Sequence, residues 1–272
     1  MYPVPLPSGI GLEGAGVVEA VGTGVSLMLG TRVAYCWGPI GAYASHRIIA
    51  ADRVVVLPAE VSNEVAAAGM LKGCTTEFLV ERCARVQPGQ TVLVQAAAGG
   101  VGLLLVQWLK HVGATVIAVA GSAEKVAMAV AHGADHGIIH DTTLAQDVRE
   151  LTGGRGVDVV FDGVGKATFE ASLDSLARRG LLISYGNASG AVGPVDVGLL
   201  ARKGSLFVTR PTLFDYYSSR EDIEIHAGRV LDLIGRGVIK VNVDQRYALG
   251  DAAQAHRDLE ARRTTGSTVL VP

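Results

Sequence analysis

The sequence predicts an α/β fold: a doubly wound parallel sheet with a smaller β-rich region. Three observations carry that expectation. From Thr91 onward, short β-branched runs alternate with longer helical patterns, the rhythm of strand–helix–strand crossovers. The first of these strands runs into the glycine-rich stretch Ala96-Ala97-Ala98-Gly99-Gly100-Val101-Gly102, placed where such sheets bind nucleotides. The first seventy residues, by contrast, are punctuated by glycine and proline, with no helix rhythm before Asn63, as in a compact β domain.

Taken in order, short segments at 16–20, 31–36 and 43–49 read as strands of the β region. In the central part, strands are expected at 91–95, 115–119, 137–139, 157–161, 181–185 and 205–208. Helical patterns at 102–111, 123–132, 144–151 and 167–177 separate them. Right-handed crossovers then put helices on both faces of the sheet. After Pro211 the alternation breaks: a helix at 218–235, a strand at 240–243, a helix at 251–262 and a strand at 267–271 are expected to return to the β region.

The 272 residues can bury one large or two ordinary cores. Hydrophobic residues make up 49% and charged residues 18%, with no uncharged apolar run of bilayer length. The segment Met1-Tyr2-Pro3-Val4-Pro5-Leu6-Pro7 lacks the basic and apolar parts of a signal peptide. Cys36, Cys74 and Cys83 form no CxxC pair, which suits a reducing compartment. A cytoplasmic protein is expected. The net charge of -2 is spread over 24 basic and 26 acidic residues without a basic block, so nucleic acid is not an expected partner.

The glycine loop follows a strand and precedes a helix, the context that gives the motif its meaning. Gly99 and Gly100 let the backbone approach a pyrophosphate, Gly102 lets helix and strand pack closely, and the helix start offers unpaired N–H groups. Ala97 stands at the usual first glycine. Further on, where a ribose 2′-hydroxyl would need an acid, the second strand ends in Val119-Ala120-Gly121-Ser122-Ala123-Glu124-Lys125. No carboxylate ends the strand. Gly121 leaves space, Ser122 offers a hydroxyl and Lys125 a charge, a set suited to a 2′-phosphate. NADP(H) is therefore favoured over NAD(H).

With these residues in view, the chain resembles the zinc-independent quinone oxidoreductases, the zeta-crystallin-like branch of the medium-chain dehydrogenase/reductase superfamily. The resemblance runs through Gly9-Ile10-Gly11-Leu12-Glu13-Gly14-Ala15-Gly16, Leu71-Lys72-Gly73-Cys74-Thr75, the glycine loop, Gly121-Ser122-Ala123-Glu124-Lys125, Phe161-Asp162-Gly163-Val164-Gly165, Ser184-Tyr185-Gly186-Asn187 and Gly204-Ser205-Leu206-Phe207-Val208-Thr209-Arg210-Pro211. It implies a Rossmann domain at 74–212 and a GroES-like β domain built from 1–73 and 213–272. It also implies that Thr75, Gly100, Val101, Gly121, Ser122, Lys125, Val164, Tyr185 and Leu213 hold the cofactor NADPH. Arg262 matches a basic residue near the 2′-phosphate, His140 stands where many relatives have tyrosine at the same edge, and Tyr2 matches a tyrosine lining the substrate pocket.

Two departures from the family pattern matter. Gly11-Leu12-Glu13 replaces the Gly-His-Glu of zinc-dependent relatives, and no cysteine cluster offers a structural site, so no metal is expected. The family also carries about fifty further residues before its Tyr-Pro segment, on the order of half a small β domain. The GroES-like domain is thus expected to be N-terminally incomplete, with unpaired edges, reduced stability and a tendency to associate.

His132, His136 and His140 recur every four residues, but Gly133 and Gly137 interrupt the helix, so the three do not share a metal-binding face. Gly186-Asn187-Ala188-Ser189-Gly190 has alanine at the centre of a would-be nucleophile elbow. Asp162 reads as a loop carboxylate capping nearby N–H groups rather than as a general acid. No catalytic residue is assigned. The expected activity is NADPH-dependent reduction of a quinone, the protein aligning two rings rather than supplying an acid–base pair. The alternatives are reduction of an enal or enone double bond, and a cofactor-binding structural or RNA-binding role without turnover. The strand near Phe207 is expected at a sheet edge that pairs across a two-fold axis, making a homodimer.

Overall fold

The computed structural model describes residues 4, 6–261, 263–264 and 266–272. Two compact units emerge, one formed by Met1–Thr75 with Tyr216–Pro272, the other by Thr76–Asp215.

In the first unit, β1 (Gly14–Val17), β2 (Arg32–Tyr35) and β3 (Val55–Val56) form an antiparallel sheet. No strand forms at 43–49, contrary to expectation. The backbone there is consumed by isolated bonds: Gly41 and Ala42 N–H donate to Gly11 O and Tyr43 N–H to Ile10 O. Gly11 and Gly41 take positive φ at these bonds, which breaks a regular ladder. The helix α1 (Asn63–Glu77) follows. Its glycines permit close approach: a side chain on Gly73 would come within 2.5 Å of Val230, and one on Gly69 within 2.9 Å of Val241.

The second unit is built on six parallel strands, β4 (Thr91–Val94), β5 (Thr115–Ala120), β6 (His136–Ile139), β7 (Val157–Asp162), β8 (Leu176–Ser184) and β9 (Phe207–Thr209), in the order β6-β5-β4-β7-β8-β9. Helices α2 (Gly100–Val112), α3 (Ala123–Ala131), α4 (Leu144–Leu151), α5 (Phe169–Asp174) and α6 (Val197–Arg202) fall between them, followed by α7 (Leu213–Tyr216). Parallel strands covered on both faces must be apolar throughout. Accordingly Leu93, Ile117, Val119, Val160 and Leu182 pack with Leu144 and Val148 of α4 and Phe169 and Leu173 of α5. Helix α2 buries Leu103 through Leu109 without a polar face except Gln107, whose amide returns to Leu103 O. Gly113 ends it in the left-handed conformation, as a C-cap glycine does.

Several boundaries depart from the expected ones. The helix expected at 167–177 stops at Asp174, because Leu176 already pairs with Val157 as the start of β8. The strand expected from 205 begins at Phe207, since Ser205 takes a positive φ in the preceding turn.

The remaining chain completes the first unit. From Arg220 to Gly235 it is helical, as α8 (Arg220–Asp222), a wide π-type turn (Ile223–Ala227) and α9 (Gly228–Gly235). The strand expected at 240–243 lies instead at β10 (Val243–Ala248), parallel to β11 (Ser267–Val271), with α10 (Ala252–Glu260) between them. Both ends of the chain meet here. Tyr217 stacks on Trp37 at 5.3 Å between ring centroids, and Arg220 donates to Val54 O at 2.5 Å.

Candidate cofactor site

In the second unit β4 and β7 are neighbours, yet the chain leaves β4 toward β5 and leaves β7 toward β8. The strand order reverses there, opening a crevice outside the carboxyl ends of the strands. Register brings the following residues to that end together. Val94 pairs with Ala118 and Phe161, Ala120 with Ile139, and Asp162 with Ser184. Each next residue therefore begins a loop on the same side: Gln95, Gly121, His140, Gly163 and Tyr185.

The first loop is closed by its backbone. Ala96 has φ 50°, Ala97 N–H donates to Val119 O at 2.9 Å, and Gly99 N–H to Ala96 O at 2.8 Å. Gly99 caps α2 without any side-chain hydrogen bond, so the helix start presents bare amides. A side chain on Gly102 would meet Ala96 O at 2.4 Å and Ala97 O at 2.7 Å. Gly100, Val101 and Gly102 form the first turn of α2. Ala97, buried at the position of the usual glycine, meets its neighbours without needing a positive φ, because Ala96 supplies it.

At the second loop, a side chain on Gly121 would meet nothing within 4 Å. Ser122 caps α3, its hydroxyl accepting Lys125 N–H at 3.4 Å. The same hydroxyl holds the Glu124 carboxyl below its ordinary range. Lys125 is exposed, and no carboxylate among the described residues pairs with it. Across from Gly121, His140 N–H donates to Ala120 O at 2.8 Å, while its Nδ1 is buried with no hydrogen-bond partner among the described residues. An orphaned polar atom of this kind calls for an occupant.

Asp162 governs the loop after β7. Its Oδ1 accepts from Val164 N–H at 2.8 Å and Gly165 N–H at 3.0 Å, and its Oδ2 accepts from the Thr168 and Ser172 hydroxyls at 2.7 and 2.8 Å. Ser172 in turn accepts from Gln95 Nε2 at 3.1 Å, so one buried carboxylate ties the loop after β7, helix α5 and the residue that follows β4. All its acceptor capacity is used. Asp162 caps the turn that follows β7. Val164 O accepts from Ser189 N–H and hydroxyl, both at 2.8 Å. The Tyr185 ring lies over Gly163, where a side chain would come within 2.9 Å of it. Burial first, then the Asp162 charge, push the Tyr185 phenol far above its ordinary range and keep it protonated.

Of the residues singled out from sequence, Gly99, Gly100, Val101, Gly102, Gly121, Ser122, Lys125, His140, Val164 and Tyr185 thus share one end of the sheet. Leu213 is buried at the start of α7 in the same unit. Thr75 stands in α1 of the other unit, its hydroxyl donating to Leu71 O at 2.7 Å. Tyr2 and Arg262 lie outside the described residues. Gln95 and Ser172 were missed, although the Gln ending an apolar strand was a visible signal of a buried partner. Gly186 carries a close approach that the sequence does not reveal: a side chain there would meet Gly163 O. Among the described residues no three His, Cys, Asp or Glu side chains are grouped to hold a metal, and no helix is long and apolar enough to cross a membrane.

A family profile described as zinc-binding dehydrogenase matches residues 100–222. A quinone oxidoreductase of Pseudomonas aeruginosa is 50% identical over 275 residues, spanning 100% of this chain and 85% of that protein. The chain belongs to the quinone oxidoreductase family, within the medium-chain dehydrogenase/reductase superfamily. Among solved members, the Escherichia coli quinone oxidoreductase complexed with NADPH superposes with a TM-score of 0.94 at 47% identity, covering 100% of this chain and 85% of that one. A 2-haloacrylate reductase of a Burkholderia species is 42% identical over 274 residues, covering 98% of this chain and 81% of that protein. The Rossmann sheet described above is the family's fold.

Proposed function

We propose that this chain is an NADPH-dependent quinone reductase working without metal, with its dinucleotide along the carboxyl end of the β6-β5-β4-β7-β8-β9 sheet. The observation that carries the cofactor assignment is the pairing of open and closed glycines. Gly102 admits no side chain because helix and loop touch, whereas Gly121 faces empty space. The Ala96–Gly99 turn and the α2 amides suit a pyrophosphate, and Ser122, Lys125 and the orphaned His140 Nδ1 suit a 2′-phosphate. Val164, Tyr185, Leu213 and Thr75 are assigned to the dinucleotide, Arg262 to its 2′-phosphate, and Tyr2 to the substrate pocket.

When bound, NADPH supplies the hydride. The chain's own part is to align and to exclude water. Val164 is locked through both its amide and its carbonyl, and Tyr185 is held neutral against Gly163, so neither adds a charge beside the reacting ring. This reading needs no acid–base pair, consistent with an Asp162 whose acceptors are all engaged.

The test is oxidation of NADPH by benzoquinone or naphthoquinone, followed at the cofactor's absorbance. No turnover with any quinone would remove the proposal, and faster turnover of an alkenal would assign it instead to double-bond reduction. Lys125→Glu is expected to raise the KM for NADPH about 30-fold while leaving NADH use within about twofold, because a charge-assisted contact is worth about 1.5–3 kcal/mol. Equal effects on both cofactors would withdraw Lys125 from the 2′-phosphate.

The proposal includes a homodimer and a cytoplasmic setting. Strand β9 is an edge of the sheet, and Phe207 on it is 60% exposed. Such an edge invites pairing with a second copy. Light scattering is expected to give twice the chain mass, and Phe207→Lys to shift it toward one; an unshifted mass places the interface elsewhere.

A further inference from the structure

Glu13 is not among the residues assigned to the cofactor, yet it makes a contact that is out of the ordinary. Its Oε2 accepts from Leu71 N–H at 2.8 Å. Leu71 lies in the middle of α1, where amides ordinarily donate within the helix, and a side chain entering that ladder sets the local geometry. The carbonyl of the same Leu71 accepts the Thr75 hydroxyl at 2.7 Å. One peptide turn thus connects Glu13 to Thr75.

The surroundings make this connection stiff. On the Glu13 side, Gly11 at φ 85° fits against the Tyr43 ring, and Gly14 fits against the Tyr35 hydroxyl. On the helix side, Gly69 and Gly73 let α1 press on Val241 and Val230. Next to Leu71, Lys72 Nζ donates to the buried Ser267 hydroxyl at 2.6 Å. Burial pushes the Glu13 carboxyl up, partly opposed by the Leu71 N–H and the Lys72 charge, and burial pushes the Lys72 ammonium down. The bonds of Glu13, Lys72 and Thr75 are part-buried, where a hydrogen bond is more directional and costlier to lose than in open water.

We infer that Glu13 is a positioning residue for cofactor binding, its carboxylate holding the Leu71 N–H and so fixing that residue of α1, whose carbonyl on the next peptide group sets the orientation of the Thr75 hydroxyl. Where metal-dependent relatives use this glutamate beside a ligand histidine, the present chain has Leu12 before it. Here its work is mechanical. The inference rests on the assignment of Thr75 to NADPH.

Two near-isosteric variants separate reach from charge. Glu13→Asp keeps the charge but is one methylene short of Leu71, and Glu13→Gln keeps the reach and an acceptor oxygen while losing the charge. Glu13→Asp is expected to raise the Kd for NADPH about tenfold, as does Thr75→Val, the size of one directed hydrogen bond. In both, the loss is read in the Kd for NADPH, and Glu13→Gln keeps most of the affinity. The double variant Glu13→Asp, Thr75→Val is expected to be no weaker than Thr75→Val alone. Thermal melts accompany each variant, and an affinity loss that tracks Tm across the set would overturn the inference as a general loss of fold. A Glu13→Asp chain with unchanged NADPH affinity beside a weakened Thr75→Val overturns it too, as do fully multiplicative effects. A silent Thr75→Val overturns the assignment of Thr75 first, and the inference with it.

Discussion

Gly102→Val is expected to abolish measurable NADPH binding and to destabilise the second unit. The added atoms would fall 2.4 Å from Ala96 O and 2.7 Å from Ala97 O, so either α2 retreats or the loop opens. Overpacking of this kind costs about 1–3 kcal/mol of stability. The functional loss is larger, because a displaced loop no longer presents the Gly99 and α2 amides together. A Kd for NADPH raised more than about 100-fold, measured by cofactor fluorescence, corresponds to about 2.7 kcal/mol of lost binding. Gly121→Ala is the natural control, since a methyl group there meets nothing: its fold is expected to be intact, with any loss confined to the cofactor. A Gly102→Val chain that binds NADPH normally would show that the loop is an ordinary βα turn.

Asp162→Ala is expected to have the largest effect on stability. Removing the carboxylate strands the Val164 and Gly165 N–H groups and takes the acceptor from two hydroxyls, of which Thr168 can still donate to Gly165 O at 3.2 Å while Ser172 keeps only the Gln95 amide that donates to it. At about 1–3 kcal/mol for each buried donor left unpaired, the loss is expected to be about 3 kcal/mol or more. Urea unfolding would read it as a lower midpoint with an unchanged slope. Because Ser172 passes the network to Gln95, the glycine loop is also expected to loosen, lowering NADPH affinity even in the folded fraction. A wild-type midpoint would mean that water or a local shift satisfies these donors.

The part of the site legible in the sequence is the part made of neighbours in the chain. Gly99, Gly100 and Gly102 mark a strand, a tight turn and a helix in immediate succession, and Gly121 to Lys125 mark the next turn. Asp162 was recognised as a capping carboxylate because Val164 and Gly165 follow it closely. Its bonds to Ser172 and, through it, to Gln95 were not legible, since Gln95 and Ser172 are 77 positions apart and only the pairing of β4 with β7 brings them close. Glu13 and Leu71, 58 positions apart, met in the same way.

The sequence by itself determined the class of the fold, the family resemblance and the preference for NADP(H), because apolar alternation, glycine spacing and a missing acid are local properties. It misplaces the ends of several elements and predicts a strand at 43–49 where none forms, scattered bonds to Ile10 and Gly11 taking the neighbouring backbone instead. Only the tertiary structure decided that Gly102 is closed and Gly121 open, that His140 Nδ1 lacks a partner among the described residues, and that Glu13 grips α1. Each depends on what a distant segment places beside it, and distance along the chain carries no information about contact until the sheet has ordered the strands.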